Sequence, residues 1–185
     1  MPIQKINKTE LIVKSIEVFN KMGYTHTSMT DLAKSVGLQK GSIYHYFESK
    51  EQLLRHCIYF SKEFLSDQVF HIAYQDDLSP EVRMELIFNK LAKIATRNYQ
   101  GCFFGNLSLE ISSMELDVNT LLHDFFEELK STLSYILKVN LSAEAALERA
   151  EEIIYLYEGA VMMAKLRKDQ EPIVKVVSII KTKVK

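Results

Sequence analysis

The sequence predicts an all-α protein with a small helix-turn-helix head at residues 1–50 and a larger helical body at residues 51–185. Three observations carry that expectation. Only three prolines and six glycines interrupt 185 residues. Apolar residues recur at helical spacing along most of that length. Residues 29–48, MTDLAKSVGLQKGSIYHYFE, place small and apolar side chains where two short helices must cross around a turn.

Taken in order, the first helix should start at Asn7, a capping residue with Glu10 three positions on. It should bury Leu11, Ile12, Ile16, Val18 and Phe19 before Gly23 ends it. Ser28 with Asp31 offers a second capping pair and Ser49 with Gln52 a third. Counted from Met29, Ala33 is fifth, Gly37 ninth and Ile43 fifteenth. The crossing leaves no room for a large side chain at the fifth position, and the turn favours a residue tolerating positive φ at the ninth. Leu32, Val36, Leu38 and Ile43 supply the contacts that lock the pair. Tyr46 and Phe47 read as core. Lys40, Gly41, Ser42, Tyr44 and His45 stay outward on the second helix, which is the chemistry of a DNA-reading surface.

A connecting helix is expected from Leu53 to about Ser66, followed by a break at Asp76–Pro80, with Pro80 suited to a first helical turn. Val82, Leu86, Ile87, Leu91, Ile94 and Ala95 form the next stripe, ending near Gln100 and Gly101. Val118 to Leu137 carries another. Residues 146–166 are apolar around much of the circumference, so one buried face cannot account for them and a second is implied. After Pro172, residues Ile173, Val176, Val177, Ile180 and Val184 recur at helical spacing, although β-branched residues also suit a strand.

Charge is unevenly spread. Residues 1–55 hold eight Lys/Arg against five Asp/Glu, and the remainder fifteen against nineteen. The basic end carries the helix pair, and a locally positive module attracts a line of phosphates with an affinity that falls with salt. No stretch approaches the roughly 20 apolar residues that span a bilayer, and the N-terminus lacks a signal-peptide apolar region, so a cytoplasmic protein is expected. Cys57 and Cys102 have no CxxC neighbour and the histidines no ligand spacing, so neither disulfide nor metal is expected. With no Gly-rich phosphate loop and no nucleophile–base pair, neither an enzyme nor a bound cofactor is expected.

Between Phe19 and Leu54 the chain reads Phe19-x-x-x-Gly23-Tyr24, then Thr27-Ser28-Met29-x-Asp31-Leu32-Ala33. It continues Gly37-Leu38-x-Lys40-Gly41-x-Ile43-Tyr44-x-Tyr46-Phe47-x-Ser49-Lys50-Glu51-x-Leu53. This resembles the DNA-binding domain of TetR/AcrR-family regulators. The resemblance implies a homodimer paired through its last two helices, reading a palindromic operator in double-stranded DNA and released by a small-molecule effector. It also turns the last segment toward helix. An activator of the same architecture would carry the same head. By chemistry and by that likeness, Lys40, Gly41, Ser42, Tyr44 and His45 are expected on base edges or phosphate. Thr27, Ser28 and Thr30 are expected to hold a phosphate at a helix N-terminus, and Lys50 resembles the family's phosphate-contacting lysine. Leu53–Ser66 is the expected hinge between head and body.

The effector side is written less plainly. Gly101-Cys102-x-x-x-Asn106-x-x-x-Glu110 resembles a G-C-x-x-x-N-x-x-x-E segment found in a subset of these regulators. On a helix Cys102, Asn106 and Glu110 share one face. With Phe64, Phe88, Phe103, Phe126, Tyr155, Glu158 and Met162 they are the residues expected to line an effector cavity, Glu110 and Glu158 being the carboxylates turned toward it. Cys102 at a helix start, where the dipole favours thiolate, also fits an electrophile or oxidant sensor, though a small buried hydrophobe is the plainer role for a free cysteine.

Overall fold

The structure is a computed structural model that describes residues 6–114 and 116–184. Among the described residues every regular element is helical: α1 (Lys8–Met22), α2 (Met29–Ser35), α3 (Lys40–Ile43), α4 (Lys50–Gln68), α5 (Pro80–Thr96), α6 (Phe103–Ile111), α7 (Asn119–Leu137), α8 (Ala143–Arg167) and α9 (Glu171–Thr182). Short 3-10 turns lie at Phe70–Tyr74 and Arg97–Tyr99. The chain divides into two compact units. One takes the described residues up to Lys62 together with Phe103–Leu122, the other Glu63–Cys102 with His123 onward. The first unit therefore runs past residue 50, where the sequence put its boundary, into the middle of α4, and it takes in α6.

In the first unit Asn7 caps α1 by accepting from Thr9 N at 3.0 Å, and Gly23 ends it with φ +80°. Leu11, Ile12, Ser15 and Phe19 are its buried residues. Ile16 and Val18, expected in the core, are only half-buried. The buried stripe advances by three or four residues at a step, so those two fall at its edges, and Ser15 enters because its hydroxyl donates back to Leu11 O at 2.7 Å. Ser28 and Asp31 close both halves of a capping box at α2. The third pair is offset: Gln52 N donates to Ser49 Oγ, while Gln52 Oε1 accepts from Glu48 N, one residue before the cap. Ala33 is fully buried at the crossing, Gly37 has φ +72°, and Ile43 and Leu38 are buried as expected, while Val36 is half-buried. Leu53, Leu54, Cys57 and Ile58 of α4 complete this core.

In the second unit Ser79 caps α5 and Pro80 occupies its first turn. This helix stops at Thr96 rather than near Gln100, because Asn98 and Tyr99 adopt positive φ. Ser142 caps α8, which ends at a left-handed Lys168. The β-branched last segment is helix, with Pro172 in its first turn and Ile173, Val177 and Ile180 buried. One side of α8 is buried through Ala146, Ile153, Tyr157, Ala160 and Ala164. Leu147, Tyr155, Leu156, Met162 and Leu166 lie exposed on it, as do Val174 and Ile179 on α9. Of the residues for which the sequence implied a second buried surface, these are left exposed by the chain itself.

Candidate nucleic-acid interface

The reading helix α3 has four residues, and the chain continues it as a hydrogen-bonded turn, with Tyr46 N and Phe47 N donating to Ile43 O. Phe47 is buried against His56, with the Lys8 ammonium 4.8 Å from its ring centre. Tyr46 is half-buried and its hydroxyl donates to Ile6 O. Buried Ile43 and Phe47 leave Lys40, Gly41, Tyr44 and His45 exposed and Ser42 half-exposed. A Cβ at Gly41 would meet nothing within 4 Å, so the backbone is open to close approach. Lys40 and Tyr44 line a groove of about 420 Å³ together with residues 25–30 and Lys50. Eight of the nine sequence-predicted contact residues are therefore on the surface of this unit, and six of the nine line that groove.

Thr27 is the exception in kind. Its side chain is buried and its hydroxyl donates to Gly23 O at 2.6 Å, so it secures the α1–α2 turn and its hydroxyl cannot hold a phosphate. Ser28 Oγ is engaged by Asp31, whose carboxyl is held below the usual range by hydrogen bonds from the Ser28 side chain and backbone. Thr30 sits half-buried in the first turn of α2. Lys50, expected on phosphate, donates to Tyr24 O at 2.7 Å and Thr27 O at 2.9 Å and stands 4.1 Å from the Tyr24 ring centre. Burial draws its pKa down, against an opposing pull from Glu110. An ammonium has three donors, so Lys50 braces the turn with two and keeps at most one for DNA.

Sequence reasoning missed what holds this turn from the other side. Glu110 of α6 accepts from Tyr24 N at 2.8 Å and Thr25 N at 2.7 Å. Burial raises its pKa, but the donors from Thr25 and Tyr24 outweigh that and leave the carboxyl below its ordinary value. Asn106, one helical turn earlier, donates to Asn20 Oδ1 at 2.6 Å. Asn106 and Glu110, expected on an effector cavity, bond here to α1 and the α1–α2 turn. The four-residue spacing placed them on one face, as the sequence indicated, but spacing does not name the neighbour.

The other expected cavity residues are dispersed. Phe103 is buried against Phe104 in the first unit. In the second unit Phe126, Tyr155 and Glu158 share a cavity of about 230 Å³. Phe88 packs against Tyr157, with ring centres 4.9 Å apart. Phe64 and Met162 are exposed, where a cavity-lining role expected enclosure. Glu158 is raised above its ordinary value by burial, partly offset by a hydrogen bond from the Cys102 thiol. That carboxylate would repel a thiolate at Cys102 and so opposes the helix-end field on which the sensor expectation rested. Among the described residues no cluster of His, Cys, Asp or Glu is arranged to hold a metal, and no helix is long and apolar enough to cross a membrane.

A compact helical unit with a helix-turn-helix, an exposed second-helix face and a polar groove beside it is the architecture of a DNA-binding module, followed in the chain by a helical body. Residues 11–57 match the model of bacterial regulatory proteins of the tetR family, and residues 80–178 match the transcriptional regulator LmrA/YxaF-like C-terminal domain. The chain belongs to the TetR family of transcriptional regulators, DNA-binding proteins without enzymatic activity. Among its relatives, the HTH-type transcriptional repressor DhaR of Mycobacterium sp. (strain GP1) is 29% identical over 175 residues, covering 90% of this chain and 86% of that one. A TetR transcriptional regulator from Legionella pneumophila superposes with a TM-score of 0.90 at 24% identity, covering 100% of both chains. The regulator FadR of Bacillus subtilis, solved in complex with stearoyl-CoA, superposes with a TM-score of 0.75 at 16% identity over 96% of this chain and 97% of that one.

Proposed function

We propose that this protein is a homodimeric transcriptional repressor that occupies a palindromic operator and is released from it by a small-molecule effector. The observation that carries the reading is the open surface formed by Lys40, Gly41, Tyr44 and His45 beside the groove of residues 25–30. Side chains at a helix start can enter the major groove, while Thr25, Thr30 and the backbone at the start of α2 position phosphate. One such helix reads only a few base pairs, so two heads on a twofold axis are needed for a long site, with half-site centres about 34 Å or a multiple apart. The exposed apolar residues Tyr155, Met162 and Leu166 of α8, with Val174 and Ile179 of α9, supply the face for the second copy. DhaR carries the name of a repressor, and a stearoyl-CoA complex exists for the FadR fold relative. The first favours repression and the second a small-molecule ligand.

The test is selection from random duplexes at fixed moderate salt. A palindromic consensus is expected, and retention without any consensus would leave only electrostatic affinity. Met162→Glu places a charge on the pairing face and is expected to convert dimer to monomer by analytical ultracentrifugation. An unchanged dimer would move the pairing surface elsewhere.

A further inference from the structure

The Asn106 and Glu110 pair is a feature that DNA reading and effector binding leave unused. Glu110 reaches across 86 positions of sequence to accept from two successive backbone N–H groups, Tyr24 and Thr25, at 2.8 and 2.7 Å. Gly23, just before them, has φ +80°, and a Cβ there would stand 2.8 Å from Glu110 Oε2. The turn is thus shaped around the carboxylate. From the opposite side Lys50 Nζ holds Tyr24 O and Thr27 O, and the buried Thr27 hydroxyl ties back to Gly23 O. Thr25, one of the two residues bonded to Glu110, itself lines the groove with Ser28 and Thr30. A carboxylate accepting two backbone N–H groups makes strong, geometrically specific bonds, so the groove wall is fixed by α6 and not by the head's own helices alone.

We propose that Glu110 is the positioning residue for DNA recognition: it holds the α1–α2 turn in the shape that contacts phosphate, and α6 acts on operator affinity through it. This rests on the DNA-binding reading above. Helix α6 begins at Phe103, directly after Cys102. A displacement of the chain at that point moves Glu110 as part of one rigid helix, and the turn follows or loses its acceptor. The effector signal then has a route into the head that bypasses α4.

The sign of the DNA effect separates this role from charge alone. Removing a negative side chain next to a phosphate-binding groove should tighten binding to any duplex by simple electrostatics. Loss of a positioning group should weaken binding to the selected operator while leaving non-specific binding unchanged or tighter. The experiment compares wild type, Glu110→Ala and the isosteric Glu110→Gln, which keeps one acceptor oxygen and guards against a variant that fails to fold. Anisotropy with the selected duplex and with a scrambled one, at one salt concentration, gives the two affinities. Amide hydrogen exchange at Tyr24 and Thr25 reads the turn without DNA. Glu110→Ala is expected to weaken operator binding by about tenfold or more, and Glu110→Gln by roughly threefold. Exchange at Tyr24 and Thr25 should be faster in both, with that at Phe88 in α5 unchanged. Operator binding as tight as wild type or tighter in Glu110→Ala overturns the proposal, as does unchanged exchange at the two amides. If the wild type selects no duplex, the DNA-binding reading falls separately, and the exchange rates alone decide whether Glu110 holds the turn.

Discussion

Glu110 in the first unit and Glu158 in the second are both helical carboxylates that the sequence turned toward a cavity, and they meet opposite fates. Glu110 is partly exposed, and donors from Thr25 and Tyr24 more than offset its burial, which leaves its pKa below 4.5. Glu158 is half-buried and accepts from the Cys102 thiol, and burial carries its pKa above 4.5. A thiol is a weak donor and two backbone N–H groups are strong ones. Nearby Tyr157 is also pushed well above its ordinary range, by burial and then by Cys102 and Glu158, and among the described residues its hydroxyl has no hydrogen-bond partner. The head therefore commits its carboxylate to structure, whereas the body keeps an acid with one weak donor beside a phenol with no hydrogen-bond partner among the described residues. Unmet polarity of that kind suits a site that exchanges partners more than one that holds a shape.

The largest break in this contrast is expected at Gly23. Replacement by Ala forces an L side chain into φ +80° and brings its Cβ to 2.8 Å from Glu110 Oε2. The cost should be about 2 kcal/mol, read as a shift of the urea midpoint with unchanged slope. In the double variant Gly23→Ala with Glu110→Ala the clash is gone, and the backbone strain of roughly 1 kcal/mol remains beside the loss that Glu110→Ala causes alone. The two losses should thus sum to more than the double variant shows. Strict additivity would mean that Gly23 and Glu110 do not share one packing constraint. Lys50→Met comes next. It removes two charge-assisted bonds and the contact with the Tyr24 ring. Because this side chain is only half-buried, a loss of about 1 kcal/mol is expected in the same titration. An unchanged midpoint would make Lys50 a DNA ligand alone.

How far the sequence reached follows the same division. Ala33, Gly37 and Ile43 announced the helix crossing because short-range sterics leave few choices there, and the capping residues announced helix starts for the same reason. The last helix was not settled by the period of Ile173, Val177 and Ile180, whose β-branching also suited a strand; the family resemblance decided it, and one buried face is what the period then serves. What could not be read was which long-range partner each polar group would find. Thr27 and Ser28 look alike as hydroxyls at a helix start, yet Thr27 turns inward to Gly23 O and Ser28 outward to Asp31. Lys50 read as a phosphate ligand because its two carbonyl partners lie 23 and 26 positions away. The one available signal was the unsatisfied backbone of a turn with Gly23 at positive φ. Such a turn needs acceptors for its N–H groups, and a distant carboxylate on a helix face is a candidate that spacing alone cannot select.

The smallest effect is the most discriminating, because the two carboxylates should give pH dependences of opposite slope. For Glu110 the folded pKa is depressed, so its contribution is present at neutral pH and is lost as pH falls through the folded value. The stability difference between wild type and Glu110→Gln should therefore shrink on acidification. For Glu158 the folded pKa is raised, so its contribution is full below 4.5 and is lost as pH rises through the folded value. Once ionised it should cost stability, so Glu158→Gln, which retains an acceptor for the Cys102 thiol, should gain on wild type by about 0.5 to 1 kcal/mol as pH rises. That advantage should vanish as pH falls back toward 4.5. Parallel unfolding titrations of the two Gln variants and wild type from about pH 3 to 8 decide it. Slopes of the same sign would mean that Glu158 is ionised and well solvated at neutral pH, and the body would then hold no buried acid for a ligand to meet.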